Sequence, residues 1–511
     1  MSEASGTKPA ARGPRRGELL EVEVESLAFG GRGVARAEGF VVFVAGGLPG
    51  DRVRAEVTKA KKRFAEARAV ELLRPAADRV PDRCTHGGEP CPGAPWQGLD
   101  YQRQLRIKSE QVDEALRRIG ELDGFELEPI VAAEEQWRYR NKLEYSFGDE
   151  DGEAALGFHA RGRWDLIVDV DDCHLASEAG NAARNAVREW ARDETVPAFD
   201  RRAKRGVLRN LVVREGRRSG QIQTRLVTAQ RSFPKPPVDL HTIVADDSGD
   251  SEGPTGVLGE EYLKEELCGL HWKISPGAFF QTNTEMAERL YGVAAEFAGL
   301  TGREKVFDLF CGIGTIGLSM ARDAGEVWGV EIVPEAIADA ERNAKLNEIG
   351  NAHFLAANVR TGVRPLLVQA GKPDVVVIDP PRAGLSQKMV RRVIECEAKR
   401  IVYVSCNPTT LAPNAAQLGE AGYRLRRVRP VDMFPQTPHI ECVALLEKVG
   451  CWAAASASPP ACPSRWPGRS PPAARSCATT RSGPTTTPAP SGSRRLPSSR
   501  PPRPTSTSAS P

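Results

Sequence analysis

From residue 284 onward the chain alternates helical stretches with short apolar runs: EMAERLYGVAAEFAG, KVFDLF, TIGLSMARD, VWGVE, PEAIADAERNAKLN, HFLAAN, DVVVID, SQKMVRRVIEC, RIVYVS, NAAQLGEAG and ECVALLEK. Apolar runs of this length are strands buried on both faces, and interleaved helices are what buries them. The pattern predicts a doubly wound α/β sheet over residues 266–449. Such sheets bind ligands outside the carboxyl ends of their strands, so the residues that close each run are the candidates for chemistry.

Residues 18–75 have a different period. LLEVEVESLAF, GGRGVAR and GFVVFVAGGLPGDRVRAEVTKAKKRFAEARAVELL alternate valine with polar residues between Gly-Gly and Pro-Gly breaks, which predicts a small β-barrel. Its basic hairpin, KAKKRFAEAR, suits either a phosphate backbone or plain solvent. Residues 76–265 hold a cysteine-bearing loop, a helix (QRQLRIKSEQVDEALRRIGEL) and a mixed α+β piece. Residues 1–17 and 450–511 lack apolar periodicity and are expected to be disordered, the tail resembling GC-rich DNA read out of frame. The formal net charge of +3 depends on eight arginines in that tail, so overall charge says nothing about nucleic acid. Eleven cysteines follow a start without the apolar core of a signal peptide, and no apolar run is long enough for a membrane span. The expectation is a cytoplasmic protein with reduced thiols and no membrane partner.

In KVFDLFCGIGTIGLSMA an acid closes a strand and glycines 312 and 314 occupy the turn into a helix, where backbone can approach a ligand closely. Glu331 ends the next strand, where nucleotide-binding folds grip ribose hydroxyls. The spacing GIGTIG also fits a dinucleotide site. The Asp-Leu-Phe-Cys lead-in and the later turn VVVIDPPRAG, with Asp379 held rigidly by two prolines, turn the reading to S-adenosylmethionine.

FFQTN (279–283), IDPPRAG, VSCNPTTL and DMFPQTPHIE complete a set that resembles the RNA uracil-5-methyltransferase family over about residues 18–448. The resemblance implies a Rossmann-like class I methyltransferase domain, an OB-like TRAM barrel that binds RNA, and 5-methyluridine as product. It implies Cys406 as the nucleophile that adds to carbon 6 of uracil and Glu441 as general base, because carbon 5 alone is too poor a nucleophile. Cofactor contacts carry over to Gln281, Phe310, Thr315, Glu331, Asn358 and Asp379. Thr315 stands where the family often has asparagine. Asp379 is also expected near the uracil, and Arg382 either neutralises phosphate or enolate charge or makes a surface ion pair. Cys311, Cys396 and Cys442 read as packed thiols. Phe279, Phe280 and Phe434 are stacking candidates or core.

WRYRNKLE matches a basic, substrate-facing strand, with Arg138, Arg140 and Lys142 on one face. Relatives bearing a [4Fe–4S] cluster carry three cysteines in the loop before the long helix and a fourth later. Here Cys84, Cys91 and Cys173 match, but Ala94 stands at the third position. The loop holds a cluster completed by His86, water or substrate, a zinc ion, or no metal. The barrel tilts the expected substrate toward 23S rRNA over tRNA, for an enzyme acting as a monomer. Two other classes stay open: a non-catalytic RNA-binding factor, in which Cys406 and Glu441 would be idle, and an amino-methyltransferase, which would want an aromatic residue at Arg382.

Overall fold

The structure is a computed structural model. It describes residues 13–450 apart from 87–88, 151, 161–162, 201, 230–232, 237–239, 245–255 and 258–259. The expected disorder at residues 1–12 and 451–511 lies outside the described residues.

Five strands, Leu19–Leu27, Gly33–Ala37, Phe40–Ala45, Arg52–Ala60 and Phe64–Arg74, close into a barrel whose first and fourth strands pair to seal it. Its interior is made of valines and alanines, among them Val22, Val24, Ala35, Val42, Val44, Val53, Ala55 and Ala65. A five-stranded barrel is narrow, so these small side chains fill it, each valine contributing about 1.5–3 kcal/mol relative to exposure. Lys61, Lys62 and Arg63 form the exposed tip of the basic hairpin.

A helix, Tyr101–Glu114, capped by the Asp100 side chain, leads into the central domain. There, antiparallel strands Lys142–Glu150, Glu153–His159, Leu208–Gly216 and Gln221–Thr228 form most of a seven-stranded sheet. Helix Glu178–Asp193 covers one face of it, burying Leu143, Tyr145, Leu156, Leu211, Val213 and Leu226. The other face carries the alternate, polar residues.

The third part is the doubly wound sheet. Its strand order is Ala352–Ala356, Glu326–Glu331, Lys305–Leu309, Val375–Ile378, Arg400–Ser405, Glu441–Lys448, Tyr423–Val431 and Glu126–Leu127. The first five are parallel, and Glu441–Lys448 runs antiparallel to both its neighbours. Strand direction in sequence reverses beside Lys305–Leu309, which opens a crevice at the carboxyl ends there. Core clusters on both faces explain the unbroken apolar runs.

Candidate active site

Phe310 has φ +68°, an uncommon conformation for a side chain of its size, and its N–H donates to Val330 O at 2.9 Å. That bend swings the backbone into the crevice. Gly312, at φ +54°, has no atom within 4 Å of where a Cβ would stand, so its surface is open to a ligand. Gly314, at φ +85°, precedes helix Thr315–Met320, and a Cβ there would press on Leu318, Phe354 and Ala340. Glu331 reaches toward the same loop. Its carboxylate accepts from Gly312 N (3.3 Å), Ile332 N (2.7 Å) and Val333 N (3.1 Å). Ile332 and Val333, which sequence reasoning missed, leave apolar surface exposed beside it. Their signal was two apolar residues between Glu331 and the helix-starting Pro334.

Asn358 and Asp379 follow the carboxyl ends of strands Ala352–Ala356 and Val375–Ile378, and Thr315 opens helix Thr315–Met320. The Thr315 hydroxyl shares a hydrogen bond with Tyr291 (3.1 Å), and the Asn358 oxygen caps its own helix through Arg360 N (2.9 Å), leaving only the amide N–H groups for a ligand. Gln281 is buried, and its carbonyl accepts from Asn141 Nδ2 at 2.8 Å. Asp379 ends strand Val375–Ile378. Burial, and then the charge of Asp308, push its carboxyl up to about 7.

The reacting groups meet at the same edge because of strand register. Ser405 pairs with Cys442, so Cys406 at the end of one strand faces Glu441 at the start of its antiparallel neighbour. Asn407 caps the next helix through Thr409 N (3.1 Å), with Pro408 in its first turn, and so fixes the Cys406 turn. The same asparagine donates to Arg382 O at 3.1 Å, bolting the Asp-Pro-Pro-Arg turn to the cysteine turn. Burial, then Glu441 and Asp379, push the Cys406 thiol up to about 11, while Arg382 pulls it back. Burial and Asp379 hold the Glu441 carboxyl well above its ordinary range, again opposed by Arg382. Cys406, Glu441 and Asp379 thus raise one another's proton affinity, with Arg382 opposing the effect on Cys406 and Glu441. Arg382 is exposed and has no ion pair among the described residues, while its charge acts on Cys406, Glu441 and His439. The His439 ring, which sequence reasoning left without a role, is held down to about 4 by burial and then by Arg382, Arg140 and Lys108.

The segment before Glu441 is anchored from behind. Gln436, at φ +67°, is clamped by Gln104, which accepts from its N–H (2.9 Å) and donates to its side-chain oxygen (2.8 Å). Lys108 Nζ lies 2.6 Å from Asp432, both side chains fully buried, and donates to Phe434 O at 3.0 Å. Cys311, Cys396 and Cys442 are buried, as expected of packed thiols. Phe280 is core, Phe434 is half-buried beside His439 and Arg140, and Phe279 is 67% exposed.

Arg138, Arg140 and Lys142 do not share a strand face. The strand begins only at Lys142; Arg138 is at φ +59° and its guanidinium is held by Asp172 (2.6 Å), while Arg140 lies over Phe434. The expected alternation fails because Arg138 lies in a bend and Arg140 forms only an isolated bridge with Ala176, ahead of the strand.

Cys84, Cys91 and Cys173 are all buried. A hydrogen bond with Cys91, then burial and the charges of Cys91 and Cys173, raise the Cys84 thiol. Ala94 is 1% exposed in the same small cluster, presenting a methyl group where a fourth thiolate would be needed. Among the described residues no three His, Cys, Asp or Glu side chains gather closely enough to hold a metal ion. A four-thiolate cluster does not fit this donor set.

Comparison with known proteins places the chain. The family model for tRNA (uracil-5-)-methyltransferase matches residues 248–449, and the TRAM domain model matches residues 15–70. An RNA methyltransferase of Halalkalibacterium halodurans is 38% identical over 451 residues, covering 84% of this chain and 97% of that relative. The chain belongs to the RNA uracil-5-methyltransferase family. A Bacteroides thetaiotaomicron RNA methyltransferase is likewise 38% identical, covering 82% of this chain and all of its own length. Among solved structures of this methyltransferase family, the Pyrococcus abyssi tRNA (uracil-54, C5)-methyltransferase bound to S-adenosyl-L-homocysteine matches with TM-score 0.69 and 28% identity, over 84% of this chain and 100% of its own. This chain is therefore an S-adenosylmethionine-dependent RNA methyltransferase with a TRAM barrel.

Proposed function

We propose that Cys406 and Glu441 are the catalytic pair by which this chain makes 5-methyluridine, with Gln281, Phe310, Thr315, Glu331, Asn358 and Asp379 lining the cofactor site. The observation that carries this is the antiparallel register that sets Glu441 opposite Cys406, beside Asp379 and Arg382. S-adenosylmethionine, when bound, supplies an electrophilic methyl group. The open Gly312 surface, the Glu331 carboxylate and the exposed apolar pair Ile332 and Val333 suit its adenosine half.

With its proton lost to solvent, the Cys406 thiolate forms a bond to carbon 6 of uracil, and the ring double-bond electrons move to the carbonyl oxygen as an enolate. Arg382 offsets that charge. Carbon 5 would then take up the methyl group that S-adenosylmethionine, held by the cofactor residues named above, would supply. Glu441 then accepts the carbon 5 proton, the double bond re-forms, and the thiolate leaves. Asp379, poised near 7, can donate to or accept from the ring amide.

The RNA is proposed to be a tRNA. The solved relative named for tRNA uridine 54 matches over 84% of this chain, more than the residues between barrel and tail can supply, so the barrel is shared with a tRNA enzyme and no longer tilts the choice to rRNA. Ribosomal RNA is the second reading. The test is trapping with RNA that carries 5-fluorouridine, whose fluorine cannot leave as a proton. Wild-type chain is expected to form a covalent adduct and Cys406→Ala none; an adduct in the variant would overturn the assignment. Running unmodified tRNA and 23S rRNA in parallel decides the substrate.

A further inference from the structure

With Ala94 in place of a fourth thiolate, the cysteine loop does not fit a four-thiolate cluster, yet two of its sulfurs are in direct contact. Cys84 and Cys91 share a hydrogen bond, and with Ala94 and Trp137 they form a small buried cluster of their own. Cys173 packs instead in the core of the central domain. The contact is built by backbone register. Thr85–His86 and Glu89–Pro90 pair antiparallel, with Thr85 opposite Pro90, so the next pair outward is Cys84 opposite Cys91. Opposed residues of an antiparallel pair hold their Cβ atoms at about the separation a disulfide spans.

A cavity gives small molecules a route to this pair. Its volume is about 230 Å³, and its walls include Gly30, Gly31 and Arg32 of the barrel, Cys91 and Ala94 of the loop, and Pro438. Cys91 is the sulfur at that wall. The loop is also tied to the segment that leads to Glu441. Gln97 accepts from Cys84 N at 2.8 Å and donates to Cys84 O at 2.7 Å, which locks its side chain onto the cysteine backbone. Its neighbour Trp96 donates from its backbone N–H to Gln436 O at 3.0 Å. A shift at Cys84 is therefore passed through Gln97 and Trp96 to Gln436, five residues before Glu441.

We infer that Cys84 and Cys91 are a redox-active dithiol, which a diffusible peroxide converts to a disulfide that slows methyl transfer by displacing the segment before Glu441. The Cys91 sulfur attacks one peroxide oxygen, the O–O bond breaks, and the other oxygen leaves as water with the Cys91 proton. Cys91 is then a sulfenic acid. The Cys84 sulfur attacks it, the S–O bond breaks, and the Cys84 proton leaves with that oxygen as a second water. Two thiols have given two electrons to one peroxide, and an added dithiol reverses the exchange. Bonding draws the two sulfurs closer than hydrogen-bond contact, and Gln97 transmits the pull. Small misplacements of a reacting group are enough to slow a reaction. The slowing rests on the reading of Glu441 as a catalytic group; the disulfide does not.

The test treats the full chain with hydrogen peroxide, unfolds it in an alkylating agent, and maps its disulfides by peptide mass spectrometry. Methyl transfer is followed in parallel on a tRNA or 23S rRNA transcript, whichever the reduced chain methylates. A Cys84–Cys91 disulfide is expected, with Cys173 recovered alkylated. Transfer is expected to fall about ten-fold or more and to return with dithiothreitol. Peroxide also reaches the half-buried Cys406, and Cys84→Ser and Cys91→Ala chains measure that share. Both variants are expected to keep most of the wild-type rate beforehand and to lose far less of it under peroxide. Recovery of Cys84 and Cys91 as alkylated thiols, or a disulfide from either to Cys173, would overturn the dithiol. A Cys84–Cys91 disulfide in a chain that transfers methyl at the reduced rate would overturn its action on the catalytic segment. A reduced chain that forms no 5-fluorouridine adduct would instead remove the catalytic reading and leave the disulfide standing.

Discussion

Replacing Lys108 with Met tests whether the segment carrying Glu441 is held in place from behind. Lys108 sits on helix Tyr101–Glu114 with its ammonium 2.6 Å from Asp432 and 3.0 Å from Phe434 O, and neither charged side chain touches solvent. Asp432 has one further donor, the Tyr101 hydroxyl at 2.9 Å, which itself accepts from Ala133 N. Methionine matches the length of the lysine stem but strands a buried carboxylate with a single neutral donor. Breaking a buried pair from one side costs about 3–5 kcal/mol, whereas removing both charges is close to neutral. Lys108→Met is therefore expected to lose about 3–5 kcal/mol in urea unfolding, and Lys108→Met/Asp432→Leu to recover most of it, short of about 1 kcal/mol for the orphaned Tyr101. Methyl transfer should fall in the single variant, because Asp432 lies on the path to Phe434, His439 and Glu441. A single variant that loses less than 1 kcal/mol, or a double no more stable than the single, would refute the argument.

With the Cys406 thiol pushed up to about 11 by burial and then by Glu441 and Asp379, its thiolate fraction grows about tenfold per pH unit through neutrality. The profile of kcat/KM is thus expected to climb from pH 6.5 to 9, and a flat or falling profile would count against a thiolate nucleophile. Glu441→Gln should still add sulfur to the ring but fail to remove the carbon 5 proton, so a methylated RNA–protein adduct is expected to accumulate on denaturing gels; free 5-methyluridine at the wild-type rate would exclude Glu441 as the base. Ala94→Cys places a fourth thiol beside Cys84 and Cys91, and anaerobic reconstitution is expected to give it sulfide-to-iron absorption that the parent chain lacks. Equal iron uptake by both would show that three thiolates and another donor suffice.

Much of this was legible along the chain. The valine alternation of residues 18–75 already demanded a barrel, and runs such as VVVI and RIVYVS demanded a sheet covered on both sides, because local periodicity reports directly which faces must leave water. The residues that end those runs, Phe310, Glu331, Asp379 and Cys406, were candidates for the same reason: a strand delivers its last residue to a fixed edge.

Other features belong to pairs distant in sequence, which no window can expose. The opposition of Cys406 and Glu441 depends on an antiparallel register between strands, and the Lys108–Asp432 pair spans more than three hundred residues. The basic series at 138–142 looked like one strand face, but a positive φ at Arg138 and a bend broke the alternation, and only Lys142 lies in the strand. Sequence determined which residues could do chemistry, since side-chain type and strand period are local. Tertiary structure decided which of them stand together, because charge, burial and proton affinity are properties of neighbours in space.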